Sequence, residues 1–406
     1  MKELFQAITL EAAWALLEKS HPAARRVAEL IPITEALDRQ LAEPVVAGES
    51  LPAFAKSTVD GIAAKASDTF GASESLPALL MAQGSIEIGT LAPPLPLSGN
   101  GLWIATGAML PAGADAVVMV EYTQKIDDIW VEVYRPVAPG ENVLQAGEDV
   151  GGGQTIFPAE HRLRSADLGL LAALGITRIS AWKPLRVGII STGNELVEPD
   201  QCPEPGQIRD SNSISLGAAT QAAGGKALNF GIVRDSSDLL KAALQEALEQ
   251  SDLVLISGGS SVGTWDLTHE VLCSLGGAGI LFHGLNIKPG KPTLAALVRD
   301  RLVIGLPGHP AAALVAFHLL VKPMLSGTRQ ELTVPARLSR SLASAAGRDD
   351  FIRVRLERRP EDGWIAEPVL GKSGLISTMA GVDGMIHIPA PKQGLEAGEQ
   401  VEVLLF

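Results

Sequence analysis

The segment "DLVLISGGSSVGTWDLTHEVL", residues 252–272, determines the fold class of the chain. It begins with a continuous apolar run, passes through a turn rich in Gly and Ser, and ends in an amphipathic stretch. Leu267, Val271 and Leu275 recur at the spacing of one buried helix face, and Thr264 is predicted to cap the start of that helix. A buried strand followed by a turn and a helix is the repeating unit of a parallel sheet covered on both faces.

The same pattern occurs at two further places in the chain. "LRVGIIS" (185–191) and "RLVIGLPG" (301–308) are short apolar runs that end at Gly-rich turns, and helical patterns follow both. Pro310 stands where the first turn of a helix tolerates proline. Ligands of such sheets bind beyond the carboxyl ends of the strands, so the turns themselves are predicted to carry the chemistry.

The rest of the chain changes character twice. Residues 1–46 have a helical apolar rhythm, whereas short β-like runs and Pro/Gly-rich turns fill 47–145 and predict a separate β-rich insert. "SADLGLLAALGI" (165–176) is predicted to be a helix with Ser165 as its N-cap and Gly175 as its stop. From about 328 onward the pattern alternates as antiparallel strands do, which predicts a small terminal β-domain.

Composition excludes several classes of function. The chain has 33 Lys and Arg against 46 Asp and Glu, a net charge of -13, which disfavours general binding to nucleic acid or to an anionic membrane. An anionic small molecule remains possible where a few cations converge locally. Cys202 and Cys273 form no metal-binding spacing, and the N-terminal stretch does not read as a signal peptide. We therefore expect a soluble, cytoplasmic protein.

The turn of the opening segment is suited to an oxyanion. Its glycines allow a ligand to approach the backbone, and the following helix start offers unpaired N–H groups. The candidate binding residues are Ser257, Gly258, Gly259, Ser261 and Gly263. No Walker A or G-x-G-x-x-G motif is present, and a purely structural turn is the alternative.

Two lysines and a glutamate are further candidates. "LNIKPGKPTLA" (285–295) holds Lys288 and Lys291 three residues apart on a stiff Pro-Gly-Pro loop, which favours capture of an anion. Ordinary solvated lysines are the alternative. Glu195 follows a predicted strand in "STGNELVEP" (191–199), where a surface carboxylate and a ligand are both possible.

Together these stretches resemble the molybdopterin molybdenumtransferases, or molybdenum insertases, a family that includes the C-terminal domain of gephyrin. The resemblance runs nearly end to end with the order of motifs preserved. It is carried by "LPAFAKSTVDGIAA" (51–64), "IATGAMLPAGADAVVMVE" (104–121), "AGEDV" (146–150), "STGNELVEP" (191–199), "PGQIRDSNS" (205–213), "SGGSSVGTWD" (257–266), "KPGKP" (288–292), "LPGHP" (306–310) and "SGLISTMAGVDGMI" (373–386).

The resemblance implies an α/β multidomain architecture. Its parts are a discontinuous elongated helical domain (1–46 and 146–180), a β-rich insert (47–145), a doubly wound parallel-sheet domain that binds molybdopterin (181–327) and a small C-terminal β-barrel (328–406). It also implies a homodimer whose active cleft combines the pterin domain of one subunit with the insert of the other. A molybdopterin adenylyltransferase and molybdoenzymes are possible protein partners, with no role for nucleic acid or membrane.

The implied reaction inserts molybdate into the dithiolene of adenylylated molybdopterin, with hydrolysis of the adenylate and release of AMP. The catalytic residues carried over are Asp60, Glu195, Asp266, Lys288 and Lys291. Substrate binding is carried over to Thr106, Asp149, Asp235, Pro307, Gly308, Pro310, Arg353 and Ser377, together with the turn at 257–263. The lysines, Arg353 and Ser377 would hold molybdate. Mg²⁺ is the implied cofactor, with Glu195, Asp235 and Asp266 as its candidate ligands.

Some positions depart from the family pattern. They are Ala55, Ile62, Asn194, Thr264 and His309, three of which replace an acidic residue common in the family. The departures at positions 55, 62, 264 and 309 support a second hypothesis, a catalytically weak paralogue that acts as a molybdopterin-binding carrier or scaffold. An enzyme acting on another phosphorylated heterocycle is a third, because the fold alone does not determine the substrate.

Overall fold

The computed structural model describes residues 7–19, 26–258, 262–275, 278–329, 332–361 and 363–406, with side chains except at 262–266 and 278. Within these ranges the α-helices are α1 (Leu10–Glu18), α2 (Ser165–Ala173), α3 (Asn212–Ala222), α4 (Ser237–Gln250), α5 (Val262–Ser274), α6 (Pro310–Ala316) and α7 (Lys322–Ser326). None of the described helices is long and apolar enough to cross a membrane. The chain divides into two compact units, Ala28–Trp182 and the described parts of Met1–Val27 with Lys183–Phe406.

The unit Ala28–Trp182 is rich in short strands. They are β1 (Ala28–Pro32), β2 (Val45–Val46), β3 (Lys56–Ser57), β4 (Gly61–Ala64), β5 (Ala78–Ile86), β6 (Asn100–Ile104), β7 (Ala116–Met119), β8 (Thr123–Lys125), β9 (Trp130–Val133), β10 (Val143–Leu144), β11 (Thr155–Phe157) and β12 (Arg178–Trp182). Six of them form a sheet in the order β7-β4-β6-β5-β9-β8. Ile62 and Leu80 are fully buried in its core, which confirms the β-rich insert as part of the fold class.

The second unit contains the remaining strands. They are β13 (Arg186–Thr192), β14 (Leu196–Val197), β15 (Ile208–Arg209), β16 (Lys226–Val233), β17 (Leu253–Gly258), β18 (Ala278–His283), β19 (Ile287–Lys288), β20 (Leu294–Val298), β21 (Arg301–Leu306), β22 (Thr333–Leu338), β23 (Leu342–Ala343), β24 (Asp349–Arg359), β25 (Gly363–Pro368), β26 (Gly384–Ile388), β27 (Gly394–Leu395) and β28 (Gln400–Leu405). One six-stranded sheet has the order β16-β13-β17-β21-β20-β18, and its first four strands are parallel.

Apolar clusters cover both faces of this sheet, as the sequence predicts. One cluster joins Leu253 and Ile304 to residues of α1, α3 and α6, and the other joins Val254 and Val303 to residues of α4 and α5. Val271 and Leu275 belong to the second cluster and are buried, so the predicted inner face of α5 is confirmed. The doubly wound sheet is therefore present.

One edge of the sheet departs from the parallel arrangement. β20 pairs antiparallel with both β21 and β18. Arg299 and Asp300, which join β20 to β21, have φ angles of 47° and 62°, as a tight two-residue hairpin requires. Such turns usually contain Asn or Gly, so the pair Arg-Asp gives no hairpin signal in the sequence.

The C-terminal strands form the predicted small barrel. β24, β25, β22, β28 and β26 pair in that order, and β26 pairs again with β24, so the five strands close on themselves. One pair, β22 with β25, is parallel where alternation predicted antiparallel strands throughout. β19, from the lysine-bearing loop, adds a sixth strand beside β24.

Several local predictions need correction. The helical rhythm predicted helix as far as residue 46. Within the described residues, the helix near the N-terminus extends only over Leu10–Glu18, and β1 is a strand that pairs with β12. Strand pairing there outweighs local propensity. α2 begins at Ser165 itself, with Arg164 as N-cap, because the Asp167 carboxylate accepts the Arg164 N–H at 2.8 Å. α5 begins at Val262, so Thr264 lies inside its first turn.

Two terminal positions are confirmed. Gly175 follows α2 with a φ of +69°, the left-handed conformation of a helix stop. Pro310 opens α6, with His309 as its N-cap. The division into four domains stays a prediction, and α1 contributes Ala13, Trp14 and Leu17 to the core of the α/β sheet.

Candidate active site

The carboxyl ends of three adjacent strands meet at one edge of the parallel sheet. Thr192 at the end of β13 lies opposite Gly258 at the end of β17, and Ser257 lies opposite Leu306 of β21. Gly258 has a φ of +144°, and a Cβ there would lie 1.9 Å from the Thr192 carbonyl oxygen. Only glycine fits this close approach of two strand ends.

Asn212, the first residue of α3, connects the start of that helix to the turns after β17 and β21. Its Nδ2 donates to Ser257 Oγ at 2.7 Å and to the Gly308 carbonyl at 2.9 Å. The Asp210 carboxylate accepts the backbone N–H groups of Asn212 and Ser213, at 3.0 and 3.1 Å, and so fixes the helix start. The sequence places these partners 45 and 96 positions from Asn212, so only the fold brings them together.

These turns line a cavity of about 390 Å³, here called the polar cavity. Its lining residues are Ser191, Thr192, Glu195, Leu196, Ile208, Arg209, Asp210, Ser211, Asn212, Ser257, Gly258, Gly308, His309, Pro310, Gly374 and Ile376. Two buried oxygens at its wall, Ser191 Oγ and Asn212 Oδ1, have no hydrogen-bond partner within the described part of the chain. Buried polar atoms without partners are costly unless a ligand or water satisfies them, so they indicate a binding site.

Two acidic candidates lie at or beside the polar cavity. Glu195 lines it directly. Asp235 is held next to it, because its carboxylate accepts Thr192 Oγ1 at 3.1 Å and the Asn194 N–H at 3.2 Å. Asn194, which stands where the family often has Asp, also accepts the Asp235 N–H through its side-chain oxygen at 3.2 Å. The Asn194 side chain thus joins the loop after β13 to the loop after β16.

A second cavity, of about 680 Å³, is here called the cation cavity. Its lining consists of residues 286–292, 307, 309, 312, 348, 351–353 and 370–373. Five of these side chains are cationic, namely Lys288, Lys291, Arg348, Arg353 and Lys372. Among the described residues that line it there is no carboxylate. A chain with a net charge of -13 therefore concentrates positive charge at one place.

Arg353 is the most buried of these cations. Its residue is 6% exposed, its Nη2 donates to the Gly371 carbonyl at 3.1 Å, and its Nε has no hydrogen-bond partner within the described residues. Burial lowers the pKa of the Arg353 guanidinium from its ordinary value, but an Arg side chain remains charged at neutral pH. A buried cation with an unpaired donor is suited to receive an anion.

The loop that bears the two lysines has a defined backbone. Gly290 has a φ of +115°, and a Cβ there would approach the Ile287 side chain to 2.8 Å. Thr293 Oγ1 donates to the Gly290 carbonyl at 2.6 Å, and the Lys291 carbonyl accepts the Leu285 N–H at 2.9 Å. The loop therefore presents both lysines from a fixed backbone.

His309 belongs to the lining of both cavities. Its Nδ1 lies 2.9 Å from Ser373 Oγ, and the Ala311 N–H donates to the Ser373 carbonyl at 3.1 Å. These bonds attach the loop after β25 to the start of α6. The imidazole thus stands where the polar cavity and the cation cavity adjoin.

The other candidates fall into three groups. Asp60, Thr106 and Asp149 lie exposed in the unit Ala28–Trp182, where the Asp60 carboxylate accepts the Thr106 N–H at 2.7 Å and Thr106 Oγ1 at 2.9 Å. These bonds lower the pKa of Asp60.

The remaining candidates lie at the two cavities or outside the described residues. Ser377 is exposed and is not among the residues lining either cavity. Pro307 lines the cation cavity, whereas Gly308 and Pro310 line the polar cavity. Gly259, Ser261 and the side chain of Asp266 lie outside the described residues, and Gly263 lies within the first turn of α5.

Sequence reasoning missed functional side chains in both cavities, among them Asp210, Asn212, Arg348 and Lys372. Asp210 and Asn212 lie inside the stretch "PGQIRDSNS". A carboxylate two residues before the start of a helix could have indicated that Asp210 caps α3. Arg348 and Lys372 lie in no motif, and nothing in the sequence relates them to the lysine loop. They reach the cation cavity only because the barrel packs beside it.

The described side chains include no cluster of three His, Cys, Asp or Glu residues with metal-binding geometry. Glu195 remains accessible at the polar cavity, whereas Asp235 already accepts two hydrogen bonds. Mg²⁺ is commonly held by one or two carboxylates plus waters and substrate phosphates, so this donor set is compatible with Mg²⁺ bound together with a phosphorylated ligand.

Family models match three consecutive parts of the chain. The N-terminal region of MoeA (domains I and II) matches residues 8–175, a probable molybdopterin binding domain matches residues 188–327, and the C-terminal region of MoeA (domain IV) matches residues 335–406. The matched regions together account for most of the chain and preserve the order seen in the family.

Individual relatives agree with these models. The chain is 38% identical over 385 residues to a putative molybdopterin biosynthesis protein of Methanocaldococcus jannaschii, covering 93% of this chain and 92% of the relative. It is 33% identical over 387 residues to the molybdopterin molybdenumtransferase of Bacillus subtilis, covering 93% and 90%. A crystal structure of the molybdopterin biosynthesis protein MoeA from Pyrococcus horikoshii superimposes with a TM-score of 0.84 at 31% identity, covering 99% of this chain and 100% of that one. The chain belongs to the MoeA family of molybdopterin molybdenumtransferases.

Proposed function

We propose that the protein is a transferase that inserts molybdate into the dithiolene of adenylylated molybdopterin and releases AMP and molybdenum cofactor. One observation carries the proposal. The cation cavity is lined by five Lys and Arg side chains and, among the described residues, by no carboxylate. It adjoins the polar cavity, where two buried oxygens have no hydrogen-bond partner within the same described part of the chain.

Local charge outweighs the net charge of the chain for a small anion. A unit charge pair about 4 Å apart contributes roughly 4 kcal/mol at an effective dielectric constant of about 20. Exposed carboxylates farther than about 10 Å are largely screened by physiological salt. A dianion such as molybdate would therefore be stabilised in the cation cavity by Lys288, Lys291 and Arg353 despite the acidic surface. Ser377 does not line the cation cavity, so it would contact molybdate only if its turn moved toward the cavity.

The polar cavity would hold the pterin nucleotide. Ser257, Gly258 and the helix start that follows offer hydroxyl and N–H donors to a phosphate, and Asn212 Oδ1 offers an unpaired acceptor to an amino edge. Gly308 and Pro310 shape the same wall. His309 lines both cavities, so the dithiolene end of the pterin and the molybdate would meet beside it.

The carboxylates have proposed roles in binding and hydrolysis. Mg²⁺ would be held by Glu195, with Asp235 and Asp266 as further ligands, and it would neutralise the charge of the adenylate phosphates. Glu195 would also orient the water that cleaves the adenylate. In the homodimer proposed below, Asp60, held by Thr106, would accept an N–H group of the pterin bound to the other subunit, and Asp149 would contribute from the same subunit as Asp60.

The assembly and its context are part of the proposal. We propose a homodimer in which the insert of one subunit completes the active cleft of the other, as the family resemblance implies. A cytoplasmic location and exchange of the pterin with an adenylyltransferase and with recipient molybdoenzymes follow from the same role. The transferase names of the relatives favour this function over a carrier or scaffold that lacks catalysis.

Purified protein with adenylylated molybdopterin, molybdate and Mg²⁺ provides the test. The proposal predicts AMP release that depends on molybdate. Tight pterin binding without AMP release would instead support the carrier, and absence of pterin binding would support an enzyme for another phosphorylated heterocycle.

Replacement of one lysine sharpens the test. Lys291→Ala removes one charge-assisted hydrogen bond and should raise the KM for molybdate about 10- to 100-fold, with the KM for the pterin little changed. Lys241→Ala on α4 removes a charge away from both cavities and serves as the matched control. Equal loss of affinity for both substrates in Lys291→Ala would contradict the oxyanion role.

A further inference from the structure

A fully buried carboxylate lies behind the cation cavity. Asp350, on β24 of the barrel, has 0% exposure. Its Oδ2 accepts Ser344 Oγ at 2.9 Å, its Oδ1 accepts Arg348 Nε at 3.0 Å, and Lys288 Nζ lies 3.6 Å from its Oδ2. Two of the five cations of the cavity are therefore paired with one acidic group that does not line the cavity itself.

Backbone contacts hold Lys288 opposite this carboxylate. β19 pairs parallel with β24, and the pairing sets Lys288 against Asp350. Asn286 Nδ2 donates to the Gly347 carbonyl at 2.6 Å, and the Asp349 N–H donates to the Asn286 carbonyl at 3.0 Å. The main chain of the lysine loop is thus attached to the first strand of the barrel that faces it.

The backbone does not by itself direct the ammonium group. The Lys288 side chain is 55% exposed and has four rotatable bonds, so it would sample many orientations without a fixed partner. Asp350 supplies such a partner and is itself fixed by Ser344 and Arg348. Cations that are already oriented bind an anion with a smaller entropic penalty.

We propose that Asp350 is a positioning residue for the oxyanion site, which orients Lys288 toward the cation cavity. The inference rests on the proposed function, in which Lys288 contacts molybdate. The inference is testable because the Asp350 carboxylate has two opposing effects on molybdate. It orients Lys288, which favours binding, and it repels the dianion, which opposes binding. Orientation predicts weaker molybdate binding when Asp350 is neutralised, whereas simple repulsion predicts tighter binding.

The experiment compares Asp350→Asn with Asp349→Asn. Both remove one negative charge from the same strand, but Asp349 accepts His387 Nε2 at 2.8 Å and the Ala390 N–H at 3.1 Å instead of pairing with Lys288. Titration calorimetry with molybdate alone gives the dissociation constant, and AMP release gives KM for each substrate. We expect Asp350→Asn to raise the Kd and KM for molybdate about tenfold, with the KM for the pterin and kcat within about twofold, and Asp349→Asn to match the wild type. Unchanged or tighter molybdate binding in Asp350→Asn would overturn the inference.

A double-mutant cycle tests whether Asp350 acts through Lys288. On a Lys288→Met background, Asp350→Asn should change the Kd for molybdate by less than about twofold. A further tenfold loss on that background would show that Asp350 acts by another route and would refute the inference.

A milder variant keeps the inference testable if the buried substitution Asp350→Asn prevents folding. Ser344→Ala removes the hydroxyl that fixes Asp350 Oδ2 and keeps the charge, and it should raise the Kd for molybdate about two- to fivefold. Wild-type affinity in Ser344→Ala, with Asp350→Asn unfolded, would count against the inference. Absence of molybdate binding and of AMP release in the wild type would instead reject the proposed function itself.

Discussion

The substitution Asn212→Asp changes one side-chain atom where the start of α3 meets the turns after β17 and β21. In Asn212→Asp an oxygen replaces Nδ2, which donates to Ser257 Oγ and to the Gly308 carbonyl. Ser257 can rotate its hydroxyl and donate instead, but the Gly308 carbonyl loses its donor and faces a carboxylate oxygen. The residue is 8% exposed, so the new charge is also poorly hydrated and lies close to Asp210.

The expected magnitude follows from these contacts. A buried carbonyl without its donor costs about 1–3 kcal/mol, and the buried like charge adds to this. We therefore expect the free energy of unfolding to fall by about 2–4 kcal/mol near neutral pH, and to recover partly in acid as the carboxylate is protonated. Urea denaturation followed by circular dichroism measures the change, and equilibrium dialysis measures the accompanying loss of pterin affinity.

Asn229→Asp is the matched control for this prediction. Asn229 is exposed on β16, and its side-chain oxygen accepts the Gly231 N–H at 2.9 Å. Aspartate retains that acceptor, so stability should stay within about 0.5 kcal/mol of the wild type. A change of that small size in Asn212→Asp as well would refute the conclusion that Asn212 holds the start of α3 to the turns after β17 and β21.

Three further predictions concern single residues. Gly258→Ala should lower the free energy of unfolding by about 2–3 kcal/mol in a denaturation assay, because its Cβ would overlap the Thr192 carbonyl. Burial raises the pKa of Asp252, but the hydrogen bonds from Arg186 outweigh it and hold that pKa below its ordinary 3.8. Asp252→Asn should therefore cost about 1–2 kcal/mol at neutral pH, and the difference from wild type should shrink as pH falls below that ordinary value. Asp60→Asn should lower kcat/KM at least about tenfold with only a small drop in Tm, because the Asn side-chain oxygen can still accept both Thr106 donors, although less strongly than a carboxylate.

Each of these predictions has a control within the chain. Gly279→Ala places its Cβ in open space and should leave stability unchanged. Asp200→Asn removes an exposed carboxylate and should keep the free energy of unfolding within about 0.5 kcal/mol of the wild type at neutral pH. Asp127 is exposed and accepts two backbone N–H groups at 2.8 Å, so Asp127→Asn should keep full activity. Equal effects in a variant and its control would contradict the corresponding contact-based explanation.

The sheet could be predicted from the sequence because burial on both faces leaves a continuous apolar run. β13, β17 and β21 show such runs followed by Gly-rich turns, and the end-to-end motifs identify the family. The antiparallel edge could not be predicted, because the hairpin between β20 and β21 uses Arg299 and Asp300 in place of the usual Asn or Gly. At Ala28–Pro32, pairing with β12 gives a strand where the local helical rhythm suggested a helix.

The lysine loop was recognisable because Lys288 and Lys291 flank a rigid Pro-Gly pair in an acidic chain. The cations that complete the cavity were not, since Arg348 and Lys372 belong to a different part of the sequence and to no motif. The same holds for Asn212, whose partners are distant in the chain. Local patterns identify the turns, whereas the fold determines which side chains meet between them.

The most direct test that the cation cavity binds molybdate is the position of molybdate in a crystal of the protein soaked with it. We predict an anomalous molybdenum peak in the cation cavity, with oxygens within about 3 Å of Lys288 Nζ, Lys291 Nζ and the Arg353 guanidinium. A peak bound elsewhere, with these three cations turned to solvent, would contradict it.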